Sequence, residues 1–94
     1  MINAKTITYY HSVADLIYEN TTAEEEKALS AMFETDDDLE QFLHIDDFEN
    51  YGYFLLDFGT VILTLDNDVI GSFDSLEDFI KASAKEMKEW RENS

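Results

Sequence analysis

Residues Tyr51 to Phe73 read YGYFLLDFGTVILTLDNDVIGSF, and the reading of this stretch decides the fold. Three short runs rich in Val, Ile, Leu, Phe and Tyr are broken at Asp57-Phe58-Gly59 and again at Asp66-Asn67-Asp68. Apolar runs of that length, separated by Gly and Asn/Asp, are the pattern of a β-meander. Strands are expected at about Tyr51 to Asp57, Thr60 to Leu65 and Val69 to Phe73. Gly59 and Asn67 are the residues that tolerate positive φ at the two turns.

Downstream, Ser75 is placed to cap a last helix. At about 100° per residue, Leu76, Phe79, Ile80, Ser83, Met87 and Trp90 fall within about 40° of one direction, which predicts a buried stripe. Lys81, Lys85 and Lys88 lie opposite, and with Arg91 they gather toward the helix C-terminus, where the macrodipole favours positive charge. Upstream, Lys5 to Tyr10 alternates as a strand does, with Ile7 and Tyr9 on one side. Ser12 caps a short helix carrying Val13, Leu16 and Ile17 on one face and ending near Asn20, with Asp15 in its first turn. Thr22-Ala23-Glu24-Glu25 matches a capping box, followed by the stripe Ala28, Leu29, Met32 and Phe33. Thr35 caps a further turn or two with Leu39, Phe42 and Leu43 on one face, and Ile45 to Asn50 reads as an acidic loop.

The resulting order, β-α-α-α-β-β-β-α, predicts an α+β domain: a small antiparallel sheet with helices packed on one face. The alternative is separate helical and β layers with the first strand at an edge. At 94 residues the chain is expected to be one domain, residues 1–94, with a single modest core. Hydrophobic content of 45% argues against disorder despite a net charge of −16. Solubility alone asks for a net charge of only about 2 to 8, so something else selects the acids. There is no cysteine, which excludes disulfides and thiolate metal sites. The opening MINAKTITYY lacks the pattern of a secretory signal and no apolar run is long enough to span a bilayer, so a cytoplasmic protein is expected.

The acids are not spread evenly. From Ala28 through Ile80 there are fourteen (Glu34, Asp36, Asp37, Asp38, Glu40, Asp46, Asp47, Glu49, Asp57, Asp66, Asp68, Asp74, Glu77 and Asp78) and no Lys or Arg. Such a surface repels nucleic acid and anionic membranes and attracts cations, either a basic protein surface or a metal ion. Duplex DNA carries one negative charge per about 1.7 Å of axis, and proteins that grip it present rows of Lys and Arg. Carboxylates held by a folded domain at similar spacing can occupy the same groove.

Clusters such as Asp36-Asp37-Asp38, Asp46-Asp47-Phe48-Glu49 and Asp74-Ser75-Leu76-Glu77-Asp78, in a small cysteine-free chain, resemble the acidic nucleic-acid mimics of phages and mobile elements: anti-CRISPR, anti-restriction and uracil-glycosylase inhibitor proteins. The likeness is to a class, and no residue role carries over from it. The stretch YFLLDFGTVILTLDNDVIGSFDSLEDFI also resembles the strand-strand-helix ending of SUKH-type immunity domains, which implies an acidic immunity protein that blocks a cationic nuclease toxin. The N-terminal half is shorter than that family usually has.

A third constellation runs from Asp66 to Glu77. Set on an EF-hand loop it supplies Asp66, Asp68, Gly71, Asp74 and Glu77 at the ligand and turn positions, but Ile70 stands where a ligand oxygen is needed and the preceding run is β-branched. A hairpin turn is the default, with calcium binding as the alternative. Catalysis has little support. His11 and His44 are the only imidazoles, and Asp57-Phe58-Gly59 reads as a turn. The aromatics Tyr9, Tyr10, Tyr51, Tyr53, Phe54 and Trp90 are expected to be mostly core or half-buried sheet residues.

The expectation is therefore a non-enzymatic inhibitor with no catalytic residue, metal ligand or cofactor. Its partner is a basic nucleic-acid-binding protein: a CRISPR effector, a restriction enzyme or another nuclease. Asp36, Asp37, Asp38, Glu40, Asp46, Asp47, Glu49, Asp66, Asp68, Asp74, Glu77 and Asp78 are nominated as the contact acids. Neither direct nucleic-acid binding nor membrane association is expected, and the oligomeric state stays open.

Overall fold

The computed structural model describes residues 6–93. Its elements run β1 (Ile7–Tyr10), α1 (Val13–Asn20), α2 (Ala23–Ser30), α3 (Asp36–Leu43), β2 (Tyr51–Leu56), β3 (Val61–Leu65), β4 (Asp68–Phe73) and α4 (Leu76–Glu92). One 3₁₀ turn, Ile45–Asp47, sits where the sequence suggested only loop. Lys5, expected to open the first strand, lies outside the described residues.

The meander forms as its turn chemistry requires. Gly59 has φ of 98° between β2 and β3, and Asp66 and Asn67 have φ of 51° and 72° between β3 and β4. Two consecutive positive φ values match the twist of the flanking strands, and Asp and Asn tolerate them. All neighbours are antiparallel in the order β1-β2-β3-β4, so the first strand is an edge. Tyr10, Tyr53, Leu63 and Gly71 form one row across the sheet, and Leu55, Val61 and Phe73 another. Apart from Gly71, these side chains belong to the core or pack against it. Alternation puts Tyr9, Phe54, Ile62 and Ser72 on the opposite face.

Between Leu63 and Thr64 the pairing shifts: Leu63 faces Gly71 while Thr64 faces Val69, so Ile70 is an extra residue in β4. A bulge of this kind re-aims side chains at a sheet edge. On the opposite face Gly52 is required by close approach, since a Cβ there would lie 2.6 Å from the Thr64 hydroxyl oxygen and 2.8 Å from that of Tyr9.

Four side-chain caps start the four helices: Ser12, Thr22, Thr35 and Ser75 each accept from a backbone N–H three residues on, and Thr22 with Glu25 completes the capping box. The core gathers on Phe79, whose ring centroid lies 5.2 Å from Phe73, 5.8 Å from Tyr53 and 5.9 Å from Phe42. Tilted ring pairs of this sort contribute about 0.5–1.5 kcal/mol each beyond their buried area.

Two predicted stripes are corrected. Ala28 is exposed, because α2 stops at Ser30; Leu29 and, beyond the helix end, Phe33 are in the core and Met32 packs against it. Trp90 is 49% exposed, while Ala84, absent from the predicted stripe, is buried. The cause is length. At about 1.5 Å per residue α4 runs roughly 25 Å, against strands of about 17–20 Å, so its last turn passes beyond the sheet. No helix among the described residues is long and apolar enough to cross a membrane.

Candidate functional site

The nominated acids divide by where the fold leaves them. Asp36, Asp37, Glu40, Asp47, Glu49, Asp66, Asp68, Asp74, Glu77 and Asp78 are all exposed. Asp36 and Asp37 stand in the first turn of α3, where the helix dipole favours negative charge. Asp47 ends the 3₁₀ turn and Glu49 follows it, and the backbone N–H of Asp66 donates to Asn50 O at 3.0 Å, which brings the β3–β4 turn to the same end of the sheet. Asp74, Glu77 and Asp78 lie at the other end, where β4 leaves the sheet and α4 begins. The exposed acids therefore form an end group (Asp47, Glu49, Asp66, Asp68), an opposite-end group (Asp74, Glu77, Asp78) and a group on α3 (Asp36, Asp37, Glu40).

Two nominated acids are turned to other work. Asp38 is 1% exposed and accepts from Arg91 Nε at 3.1 and 3.3 Å. Arg91 also donates to Glu34 at 3.1 Å, and Lys88 lies 3.0 Å from the other Glu34 oxygen. Hydrogen bonds from Lys88 and Arg91 hold the Glu34 carboxyl below its ordinary range. A buried charge is retained only where it is paired, so Asp38 ties α3 to α4 and presents nothing to a partner. The pairing was invisible in sequence because Asp38 and Arg91 are 53 residues apart.

Asp46 is half-buried and structural. One oxygen accepts from Val13 N–H at 2.9 Å and the other from the Tyr53 hydroxyl at 2.9 Å. Burial pushes the Asp46 carboxyl up, opposed by these two hydrogen bonds; burial and the Asp46 charge likewise push the Tyr53 hydroxyl up. The side chain thus joins the 3₁₀ turn, the start of α1 and the middle of β2.

The calcium alternative does not survive the geometry. Asp66 and Asp68 flank the turn before β4, and Asp74 and Glu77 follow its far end. Six extended residues at about 3.3 Å each separate the two pairs by far more than one ion's coordination shell of about 2.3–2.6 Å. Among the described residues no group of three or more His, Asp or Glu side chains could hold a metal. Of the imidazoles, His44 lies on the surface between Glu40 at 3.5 Å and Asp47 at 3.4 Å, and His11 packs edge-on against Tyr9 at 4.7 Å.

Sequence reasoning also passed over an apolar cleft at the sheet end that carries Glu49 and Asp66. Ile45, Phe48, Tyr51, Leu65, Met87 and Trp90 line a space of about 440 Å³, open to solvent. Phe48 is 81% exposed. Its position inside an acidic loop gave no period-based signal, and Trp90 was assigned to the core. No family model, curated protein or solved structure matches the chain.

Proposed function

We propose that this chain is a small non-enzymatic inhibitor whose carboxylates occupy, on a basic nucleic-acid-binding protein, the places of phosphates. The observation that carries the reading is the exposure of ten nominated carboxylates on α3, the turns and the sheet ends, while Lys88 and Arg91 are engaged with Glu34, Asp38 and Glu92. The setting it fits is a phage-type factor acting against a CRISPR effector, a restriction enzyme or a comparable nuclease in the host cytoplasm. The rigid sheet holds the acids of both ends, which is what a phosphate mimic needs, because preorganised charge loses less entropy on docking. Complementary charge speeds encounter and sets register, and it is screened by salt.

The test is capture from a host lysate at low salt, elution with a salt gradient, and a competition assay between the released enzyme and a labelled duplex. Release of one nucleic-acid enzyme at a defined salt step, with displacement of its duplex, supports the reading. Asp47→Lys/Glu49→Lys and Asp36→Lys/Asp37→Lys variants should then lose displacement. Retained displacement in both pairs, or tight binding that ignores salt, would overturn it.

A further inference from the structure

The cleft beside Phe48 supplies what a purely electrostatic surface lacks, an apolar anchor point. It is lined by Phe48 and Trp90 and adjoins a second concavity, with which it shares Ile45, Tyr51, Met87 and Trp90; the buried Phe42, Tyr53 and Phe79 line that second part, with Ile70 from the β4 bulge also at its wall. Phe48 is 81%, Ile70 52% and Trp90 49% exposed. Three large apolar side chains around two adjoining concavities, with Trp90 common to both, are more than scattered surface residues, and aromatic residues in such settings dominate interface energetics.

The charge around the cleft is of one sign. Glu49 and Glu86 are among the lining residues, and neither part of the cleft is lined by a Lys or Arg. Glu49, Glu86 and Asp46 all act on the Tyr51 hydroxyl, which burial and these carboxylates push upward, so three acids converge on this one ring. Lys88 and Arg91, on the same helical stretch as Trp90, bond to Glu34, Asp38 and Glu92. A second copy of the chain would bring two such acidic rims together at a net charge of −16 each. An anionic membrane would be repelled in the same way. The occupant that matches both the apolar floor and the rim is cationic.

We propose that the cleft is the anchor site of the interface, taking one large apolar side chain of leucine, methionine or phenylalanine size from a Lys- or Arg-rich segment of the partner, whose cations lie on Glu49 and Glu86. This rests on the reading of the chain as an acidic ligand of basic proteins and adds the residues that supply affinity once charge has guided the encounter. Binding then splits into a salt-sensitive part from the acids and a salt-resistant part from the cleft.

Trp90 is the chain's one tryptophan and reports on the site directly. The probe is a helical peptide of about 14 residues patterned Lys/Leu, beside a Lys/Ser peptide of equal charge and a Gln/Leu peptide of equal apolarity. Trp90 emission should shift to the blue and be protected from acrylamide when Lys/Leu binds. Phe48→Ala should weaken that binding about tenfold or more, as expected for an aromatic anchor. Phe58→Ala, which removes another exposed ring from the opposite end of the sheet, should leave it within about twofold. Because Phe48 is so exposed, its truncation leaves the fold intact, and an unchanged melting temperature confirms this.

If Lys/Ser binds as tightly as Lys/Leu and Phe48→Ala is silent, the anchor proposal is overturned while the acidic-ligand reading stands. If neither Lys peptide binds at low salt, both are overturned. Equal binding of Gln/Leu would refute the cationic occupant, and a dimer seen by sedimentation that Phe48→Ala dissolves would assign the cleft to a second copy instead.

Discussion

Replacing Asp46 by alanine should unfold this protein far more readily than the loss of any exposed acid, although sequence alone groups Asp46 with its neighbours as a contact residue. Truncation leaves two donors without their acceptor: the Val13 N–H, on a fully buried residue, and the hydroxyl of Tyr53, which is 1% exposed. Hydrogen bonds to a charged acceptor contribute about 1.5–3 kcal/mol each, and an unsatisfied buried donor costs about 1–3 kcal/mol. Removing the half-buried carboxylate returns part of that through relief of its desolvation, so a net loss of about 2–4 kcal/mol is expected. At about 4–8 °C per kcal/mol for a domain of this size, the melting temperature should fall by roughly 8–32 °C.

Asp46→Asn separates hydrogen bonding from charge. Its amide oxygen can accept from Val13 N–H while its NH₂ donates to the Tyr53 oxygen, which leaves only the Tyr53 hydroxyl proton without an acceptor, so the loss should be about half of alanine's, roughly 1–2 kcal/mol. The pH dependence follows from the direction of the shift. The folded Asp46 carboxyl titrates above its ordinary value of 3.8, so between that value and its folded one the native state holds more protons and this group's contribution to stability falls as pH rises. Asn cannot titrate, and its stability relative to wild type should therefore improve as pH rises above 3.8. Urea unfolding of the three proteins across pH measures all of this. An alanine variant within about 0.5 kcal/mol of wild type, or an asparagine variant as damaged as alanine, would refute the reasoning.

Gly52→Ala should lose about 1–3 kcal/mol in the same assay, because its Cβ would meet the Tyr9 and Thr64 side chains below 3.0 Å, whereas Ser72→Ala on the same face should be nearly neutral. Glu34 is held ionised by Lys88 and Arg91, so its contribution is present above 4.5 and is lost as pH falls below that value; the stability gap between wild type and Glu34→Gln should close on acidification, as thermal scans would record. Millimolar Ca²⁺ should raise the melting temperature no more than matched Mg²⁺ does, and a calcium-specific rise abolished by Glu77→Gln would show that β4 does not hold its acids apart as described.

The readable part of this fold was local. Caps at Ser12, Thr22, Thr35 and Ser75, and the turns at Gly59 and Asn67, each depend on a few neighbouring residues, and each forms where its chemistry places it. What lay hidden depends on distance along the chain. The Asp38 pairing needs Arg91 from the far end, and Asp46 needs Val13 and Tyr53, so two acids that look like surface charge in sequence become ties between elements. Trp90 fits the period of a buried stripe, but period says nothing about where the sheet stops. The cleft is the same failure seen from the other side, since Phe48 acquires meaning only when β3 and α4 arrive beside it.

Salt gives the charge distribution its sharpest consequence, because it should move stability and binding in opposite directions. In the folded chain a net charge of −16 repels itself over a small radius, and close ion pairs to Lys88 and Arg91 offset part of it locally, in the cluster with Glu34, Asp38 and Glu92. Raising ionic strength from about 10 mM to about 150 mM shortens the screening length from roughly 30 Å to roughly 8 Å, below the span of the sheet, so repulsion between its two acidic ends fades. The melting temperature should therefore rise with salt. Attraction to a basic partner is screened over the same range, so affinity should fall. A parallel fall of both would mean that surface ion pairs, not unpaired carboxylates, dominate the electrostatics. That single result would remove the physical basis for reading the surface as a substitute for phosphates.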